Sequence, residues 1–301
     1  MTLLRRGETR FVLKRTSVAA DWIVRATRDR ALREAVVAAG ALPLPDDVTA
    51  PYLGAAADGL GAAILMPDLT GSLFDWERPI AADDLDRVLR NLAAVHASTA
   101  ETPADFPWCP LRERIELLTR RSAERYRATG LAVGQRFLDG WDAFDRQAEP
   151  AARELIGRLT GDVAPLLAAL DRLPQTLLHG DLKLANVGFT DDEMLLIDWQ
   201  MITRAPVAVE LGWLLVSNVA ALPEPPEAVL ERYRVAATAT GVDVGDWEAQ
   251  VDLTWIVGLV LRGWRKGLDA EADAPTGWGA SGADDLAWWS RRSVEAAERR
   301  L

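Results

Sequence analysis

The stretch HGDLKLANVGF (residues 179–189) and the run LLIDWQ (195–200) place two carboxylates and an amide at a suggestive spacing. Asn186 stands five positions after Asp181, and Asp198 closes an apolar run twelve positions beyond Asn186. Phosphoryl transfer needs a carboxylate beside the attacking hydroxyl, hard oxygen ligands for Mg²⁺ and a cation near the moving phosphate. Asp181 is the candidate base, Lys183 the candidate cation, and Asn186 and Asp198 the candidate metal ligands. The same chemistry asks for a lysine on an early strand, positioned by a helix glutamate. Lys14 in FVLKR and Glu34 in the segment after it answer that description. Lys14, Lys183 and Lys266 are the only lysines among 34 basic residues. A compact ammonium enters a phosphate site where a planar guanidinium fits less readily, so the placement of two of the three carries weight.

These residues need elements to hold them. RFVLKRT (10–16) alternates and reads as a strand. DRALREAVVAA (29–39) has helical spacing ahead of Gly40, and strands are expected around 48–53 and 62–66. The first 65 or so residues are therefore expected to form a small sheet with one helix. Beyond Asp68 the periodicity is mostly helical, over 83–99, 111–126, 207–222, 227–239, 247–268 and 285–301. Strand-like fragments return at 175–179, 187–190 and 193–198, where the candidate site lies. PEPP (223–226) and residues 272–285 read as loops. The expected fold class is α+β: a small mixed lobe joined to a larger helical lobe with a β patch.

Composition narrows the function classes. At 301 residues and 49% hydrophobic content the chain can bury a sizeable core. Its longest apolar run, near Leu253–Leu261, is far short of the ~20 residues of a membrane span. Arginines interrupt the N-terminus early, so a cytoplasmic protein with no membrane partner is expected. The single cysteine, Cys109, excludes an internal disulfide and reads as a core or loop thiol. Net charge is −11, with +5 in residues 1–34 and −16 in the rest. That balance argues against a nucleic-acid partner and suits an anionic ligand near the N-terminal part. The acidic remainder would suit a cationic acceptor, and the twelve tryptophans raise an aromatic cage. The simpler reading of Trp255, Trp264, Trp278, Trp288 and Trp289 is core packing. His96 reads as a packed structural residue and Lys266 as a surface residue near a helix end.

With these residues in view, the chain resembles the aminoglycoside phosphotransferase and choline kinase family, which has the protein-kinase-like bilobal fold. HGDLKLAN and IDWQ resemble its catalytic and metal motifs; FVLK (11–14), ILMPDL (64–69) and LAAVHA (92–97) resemble its flanking landmarks. The resemblance runs from about Arg10 to Trp213. It implies ATP- or GTP-dependent, Mg²⁺-dependent phosphorylation of a small-molecule hydroxyl, on an aminoglycoside-, choline- or sugar-like acceptor. It implies a nucleotide-binding lobe and hinge over residues 1–69 and a catalytic, substrate-binding lobe over 70–301. Met66, Asp68 and Leu69 at the hinge would then meet the nucleotide base. No G-x-G-x-x-G precedes Lys14, and Gly7 is the sole upstream glycine. The phosphate-covering hairpin is thus expected to be short, absent or cut off by a late start. Glu210 stands where the family usually has an aspartate, and a structural role there would survive the change. A non-catalytic nucleotide binder is the alternative, and a protein kinase a weaker one.

Overall fold

The computed structural model describes residues 1–98, 102–103 and 105–301. Its first strands, β1 (Thr2–Arg6) and β2 (Thr9–Ser17), form an antiparallel hairpin with Arg6 opposite Thr9. Gly7 opens the two-residue turn at φ 64°, a left-handed conformation that costs glycine nothing. The hairpin is therefore present and tight rather than absent. The pattern reading missed β1 because TLLRR is exposed along its whole length and shows no alternation.

Two short helices follow, α1 (Trp22–Ala26) and α2 (Arg33–Ala38), where one helix over 29–39 was expected. Asp21 caps α1 by accepting from the Ile23 and Val24 N–H groups. Arg28 and Leu32 take φ 50° and 55°, which breaks the periodic stretch and leaves α2 to start at Arg33. After β3 (Val48–Thr49) come β4 (Gly54–Ala57) and β5 (Gly61–Pro67). The four-stranded sheet has the order β1-β2-β5-β4. β5 alternates, turning Ala62, Ile64 and Met66 inward onto Val24, Leu32, Ala35 and Ala38. Each large apolar side chain buried this way contributes about 1.5–3 kcal/mol, which fixes the side of β2 and β5 on which α2 sits.

The rest is mainly helical: α3 (Ala82–Ala97), α4 (Leu111–Glu116), α5 (Arg120–Ala128), α6 (Ala132–Gln147), α7 (Pro150–Gly161) and α8 (Ala164–Leu170). Residue 99, at the expected end of the 83–99 helix, lies outside the described residues. The expected single helix over 111–126 is two, because Thr119 takes an extended conformation and caps α5 through Ser122 N–H. Four three-residue strands come next: β6 (Thr176–Leu178), β7 (Val187–Phe189), β8 (Met194–Leu196) and β9 (Thr203–Ala205). β6 pairs with β9, β7 with β8, and β3 joins β8 in parallel. The chain ends in α9 (Val207–Ser217), α10 (Pro226–Thr240), α11 (Trp247–Glu271) and α12 (Gly282–Arg300).

α11 is buried on nearly every side, packing against α6, α9 and α12. It departs from helical geometry at Arg262 (φ −139°, ψ 21°). Trp255, Trp288 and Trp289 stand edge to face with centroids 5.1–5.5 Å apart, as core packing rather than a cage. Lys266 is not a surface residue. α11 continues past it to Glu271, and α12 covers it, so its ammonium is buried against Asp285 beside the Trp289 ring. His96 is buried with Nδ1 2.6 Å from the Tyr233 hydroxyl, and Cys109 is buried. No helix among the described residues is long and apolar enough to cross a membrane.

Candidate active site

The segment carrying Asp181 runs from β6 to β7 and is held by its backbone. Gly180 has φ 82°, and a Cβ there would fall 2.0 Å from the Met201 carbonyl oxygen, so only glycine fits. The Gly180 N–H donates to both oxygens of Glu210 at 3.1 Å, and its carbonyl accepts from Arg114 Nε at 2.7 Å. Glu210 thus does structural work from α9, as its position in VAVELGW suggested. Burial pushes its carboxyl up to about 7, against the pull of the Gly180 N–H and the Arg114 charge. Asn218 at the end of α9 accepts from Leu184 N–H (2.7 Å) and donates to Leu182 and Leu214 carbonyls.

His179 is a brace. Its Nε2 pairs with the Ile197 carbonyl at 2.9 Å and so carries the proton, leaving Nδ1 to accept from Asp181 N–H. Burial lowers its pKa to about 4, so it remains neutral through physiological pH. Asp181 then presents its carboxylate to Lys183 Nζ at 3.0 Å, while Asn186 Nδ2 donates to the Asp181 carbonyl at 2.9 Å.

The second group assembles from three distant segments. Lys14 Nζ on β2 sits 2.6 Å from Glu34 on α2 and 2.8 Å from Asp198 beyond β8. Burial alone would lower the Lys14 pKa, but the Asp198 and Glu34 carboxylates outweigh it and hold the ammonium charged. Glu34 is pushed above the ordinary carboxylate range by burial and by Asp198, whereas Lys14 holds Asp198 below that range despite its burial. Tyr52 completes the group: its hydroxyl donates to Glu34 and accepts from Asp198 N–H, both at 3.0 Å. Asp198 itself takes φ 67°, an αL conformation that few residues other than glycine, asparagine and aspartate adopt.

A cleft of about 400 Å³ opens beside these residues. Lys14, Glu34, Asn186 and Asp198 line it, and so do Met66 in β5 and Asp68 and Leu69 just beyond it. The Asp68 carboxylate is occupied with Arg10 at 2.6 Å and with Thr70, so it holds the backbone after β5 in place. Asp181 and Lys183 do not line the cleft; Asn186 connects them to it.

Mg²⁺ binds through one or two carboxylates together with substrate phosphates and keeps water in its shell. Asp198 and Asn186 fit that demand: both face the cleft, and Asn186 uses its amide nitrogen on Asp181, which leaves the amide oxygen for a ligand. Among the described residues no cluster of three or more acidic, histidine or cysteine groups could hold a metal by itself.

Pattern reading did not find Tyr52, Arg114, Asn218, Trp213 or Arg262. Each sits in a segment that reads as ordinary helix or, for Tyr52, ordinary strand, and each matters through a contact distant in sequence. Trp213 is the hub of the last group: the Arg114 guanidinium lies 4.3 Å from its ring, and Arg262 and Lys183 each 5.4 Å.

Comparison with known proteins follows the same line. The profile of the phosphotransferase enzyme family matches residues 2–248. No curated protein matches the sequence. Among solved structures, choline kinase from Cryptosporidium parvum Iowa II is similar at 12% identity, over 99% of this chain and 90% of that one, with a TM-score of 0.50. A choline/ethanolamine kinase family protein from Mesorhizobium loti is 18% identical over 99% and 89% of the two chains, with a TM-score of 0.47. Macrolide 2'-phosphotransferase from Brachybacterium faecium is 19% identical over 95% and 87%, with a TM-score of 0.46.

Proposed function

The chain belongs to the phosphotransferase enzyme family, and on that premise we propose that it moves the γ-phosphoryl group of ATP or GTP to a hydroxyl of a small molecule, with Mg²⁺. Residues 1–69 would bind the nucleotide, and residues 70–301 would carry the catalytic loop and the acceptor site. The observation that carries this reading is the Lys14 ammonium held between Glu34 at 2.6 Å and Asp198 at 2.8 Å, at the wall of the cleft. Three segments far apart in sequence converge on one lysine, and a merely structural ion pair needs only one partner.

The roles follow from position. Lys14, oriented by Glu34, would contact the α- and β-phosphates. Asp181 would orient the acceptor hydroxyl and accept its proton. Lys183, 3.0 Å from Asp181, would offset charge on the transferred group. Asn186 and Asp198 would hold Mg²⁺, which would supply positive charge to offset the negative charge developing on the phosphates. His179, Glu210 and Arg114 keep the Asp181 backbone in one conformation, so little reorganisation remains for the reaction. The retained set of Asp181, Asn186 and Asp198 argues against a non-catalytic binder. A protein kinase is disfavoured because α9 starts at Val207, with only β9 between it and the turn after Asp198.

The test is acceptor-dependent release of nucleoside diphosphate from ATP or GTP with Mg²⁺, over a panel of hydroxyl compounds. Asp181→Asn is expected to lower turnover by about 10²–10⁴-fold, and a chelator of divalent cations to abolish it. Turnover that Asp181→Asn leaves intact would remove Asp181 from its role. Nucleotide binding without turnover on any acceptor would favour the non-catalytic alternative.

A further inference from the structure

Beside Asp181, on the side where α9 meets α11, four buried N–H donors have no acceptor among the described residues: Arg114 Nη1, Arg262 Nε, Trp213 Nε1 and Trp264 Nε1. They belong to one cluster. Arg114 and Arg262 flank the Trp213 ring at 4.3 and 5.4 Å, and Arg262 lies 5.4 Å from the Trp264 ring as well. Arg114, Trp213 and Trp264 are 1%, 4% and 4% exposed. A buried donor left unpaired costs about 1–3 kcal/mol, and four together are unusual in a native fold. Stacking on indole engages the face of a guanidinium, but its N–H groups lie in the plane and still require acceptors.

The charges around the cluster have one sign in excess. Asp181 is taken by Lys183, and Asp269 by Arg265 at 2.8 Å. Arg114 and Arg262 have no carboxylate within ion-pair distance among the described residues. Arg114 donates to the Gly180 carbonyl, and Arg262 makes one long contact to Ser217 Oγ at 3.3 Å. Burial lowers the Arg262 pKa to about 10, and the neighbouring Arg265 and Arg136 cations act in the same direction. Arg262 is also the residue at which α11 leaves helical geometry, so its side chain is set by a local distortion and not by regular helix spacing. The protein is acidic overall, yet this corner is cationic.

We propose that the acceptor carries an anionic oxygen group, a carboxylate or a phosphate, beside the hydroxyl that is phosphorylated, and that Arg262, Arg114 and the indole N–H groups of Trp213 and Trp264 receive it. This rests on the phosphotransferase reading of the Asp181 site. An anion supplies acceptors only, matching four donors that lack one. The ammonium groups of choline or an aminoglycoside would bring further positive charge against Arg262 and offer the four donors no acceptor.

The test separates binding from turnover. Calorimetric titration of the full chain, with and without Mg²⁺ and a non-hydrolysable ATP analogue, would compare glycerol, glycerate and glycerol phosphate, one skeleton with different charge, against choline and an aminoglycoside. At least one anion is expected to bind tenfold or more tightly than glycerol. Arg262→Gln should erase most of that preference and Arg262→Lys should retain part of it. Trp264→Phe, which keeps a packed ring and deletes the N–H, should weaken the anion several-fold. Equal or undetected binding of the anions, a preference for the cations, or an anion preference that Arg262→Gln leaves untouched would overturn the inference. Diphosphate release on the same compounds is read separately. Turnover on choline or the aminoglycoside and none on the anions overturns the anionic acceptor while the phosphotransferase reading stands. Anion binding that depends on Arg262, with no turnover on any compound, overturns the phosphotransferase reading and leaves the anion site.

Discussion

Glu210→Gln tests whether the loop that carries Asp181 is held by a buried carboxyl, and its signature is a dependence on pH. Glu210 is fully buried and accepts the Gly180 N–H with both oxygens. Its carboxyl titrates near 7 in the fold, against an ordinary value of 4.5. Below the unfolded value both states are protonated and the contribution of Glu210 to stability is fully present. As pH rises toward 7 the unfolded chain releases the proton and the folded chain retains it, so folding becomes progressively less favourable. At ~1.4 kcal/mol per pH unit the loss amounts to about 3 kcal/mol across that interval. Glutamine does not titrate. The stability of the wild type minus that of Glu210→Gln, from urea unfolding at a series of pH values, should therefore fall by about 3 kcal/mol between pH 4.5 and 7.5. Subtraction cancels every other titrating group, Glu34 included. At pH 4.5 the variant should be the less stable of the two, because an amide NH₂ would face the backbone donors of His179 and Leu182 that surround the carboxyl. A difference that stays flat, or that grows with pH, would refute the account of Glu210 as a buried, proton-retaining brace.

Gly180→Ala should destabilise by more than about 3 kcal/mol, because the Cβ meets the Met201 carbonyl and φ is positive; a melting temperature equal to wild type would contradict the close approach. Lys266→Met strands Asp285 in the core and should cost about 3–5 kcal/mol, most of it recovered when Asp285→Leu is added; a double-mutant cycle on chemical denaturation measures this. Tyr52→Phe removes the hydroxyl shared by Glu34 and Asp198, and should raise KM for the nucleotide more than KM for the acceptor, with about 1 kcal/mol lost in stability. An unchanged nucleotide KM would confine Tyr52 to packing.

The segment proposed to be catalytic was legible in the sequence because its requirements are local. HGD is readable since Gly180 must be glycine for backbone reasons, and Asp181, Lys183 and Asn186 are brought together within one turn of chain. Lys14 was legible because lysine is rare here, and alternation in 10–16 placed it on a strand. The long helices were legible wherever one face is apolar, as in α3. Local signals failed where a single φ angle breaks a periodic stretch, at Arg28 and Leu32 before α2, and where an exposed strand has no pattern to show, in β1. Lys266 was misread for a related reason: its burial depends on α12, which is remote in sequence and brings Asp285 to it.

Tertiary structure alone decided the partners. Nothing near Arg114 in the chain says that its Nε meets the Gly180 carbonyl, and nothing near Tyr52 says that it links Glu34 to Asp198. The sign of charge beside Asp181 was decided in the same way. Composition reports an acidic protein, but electrostatic energy falls with distance, and burial amplifies the few charges that remain close. By itself the sequence determined which chemistry the loop can carry. Folding determined which groups surround it, since a packed interior is made of contacts between residues that the chain keeps apart.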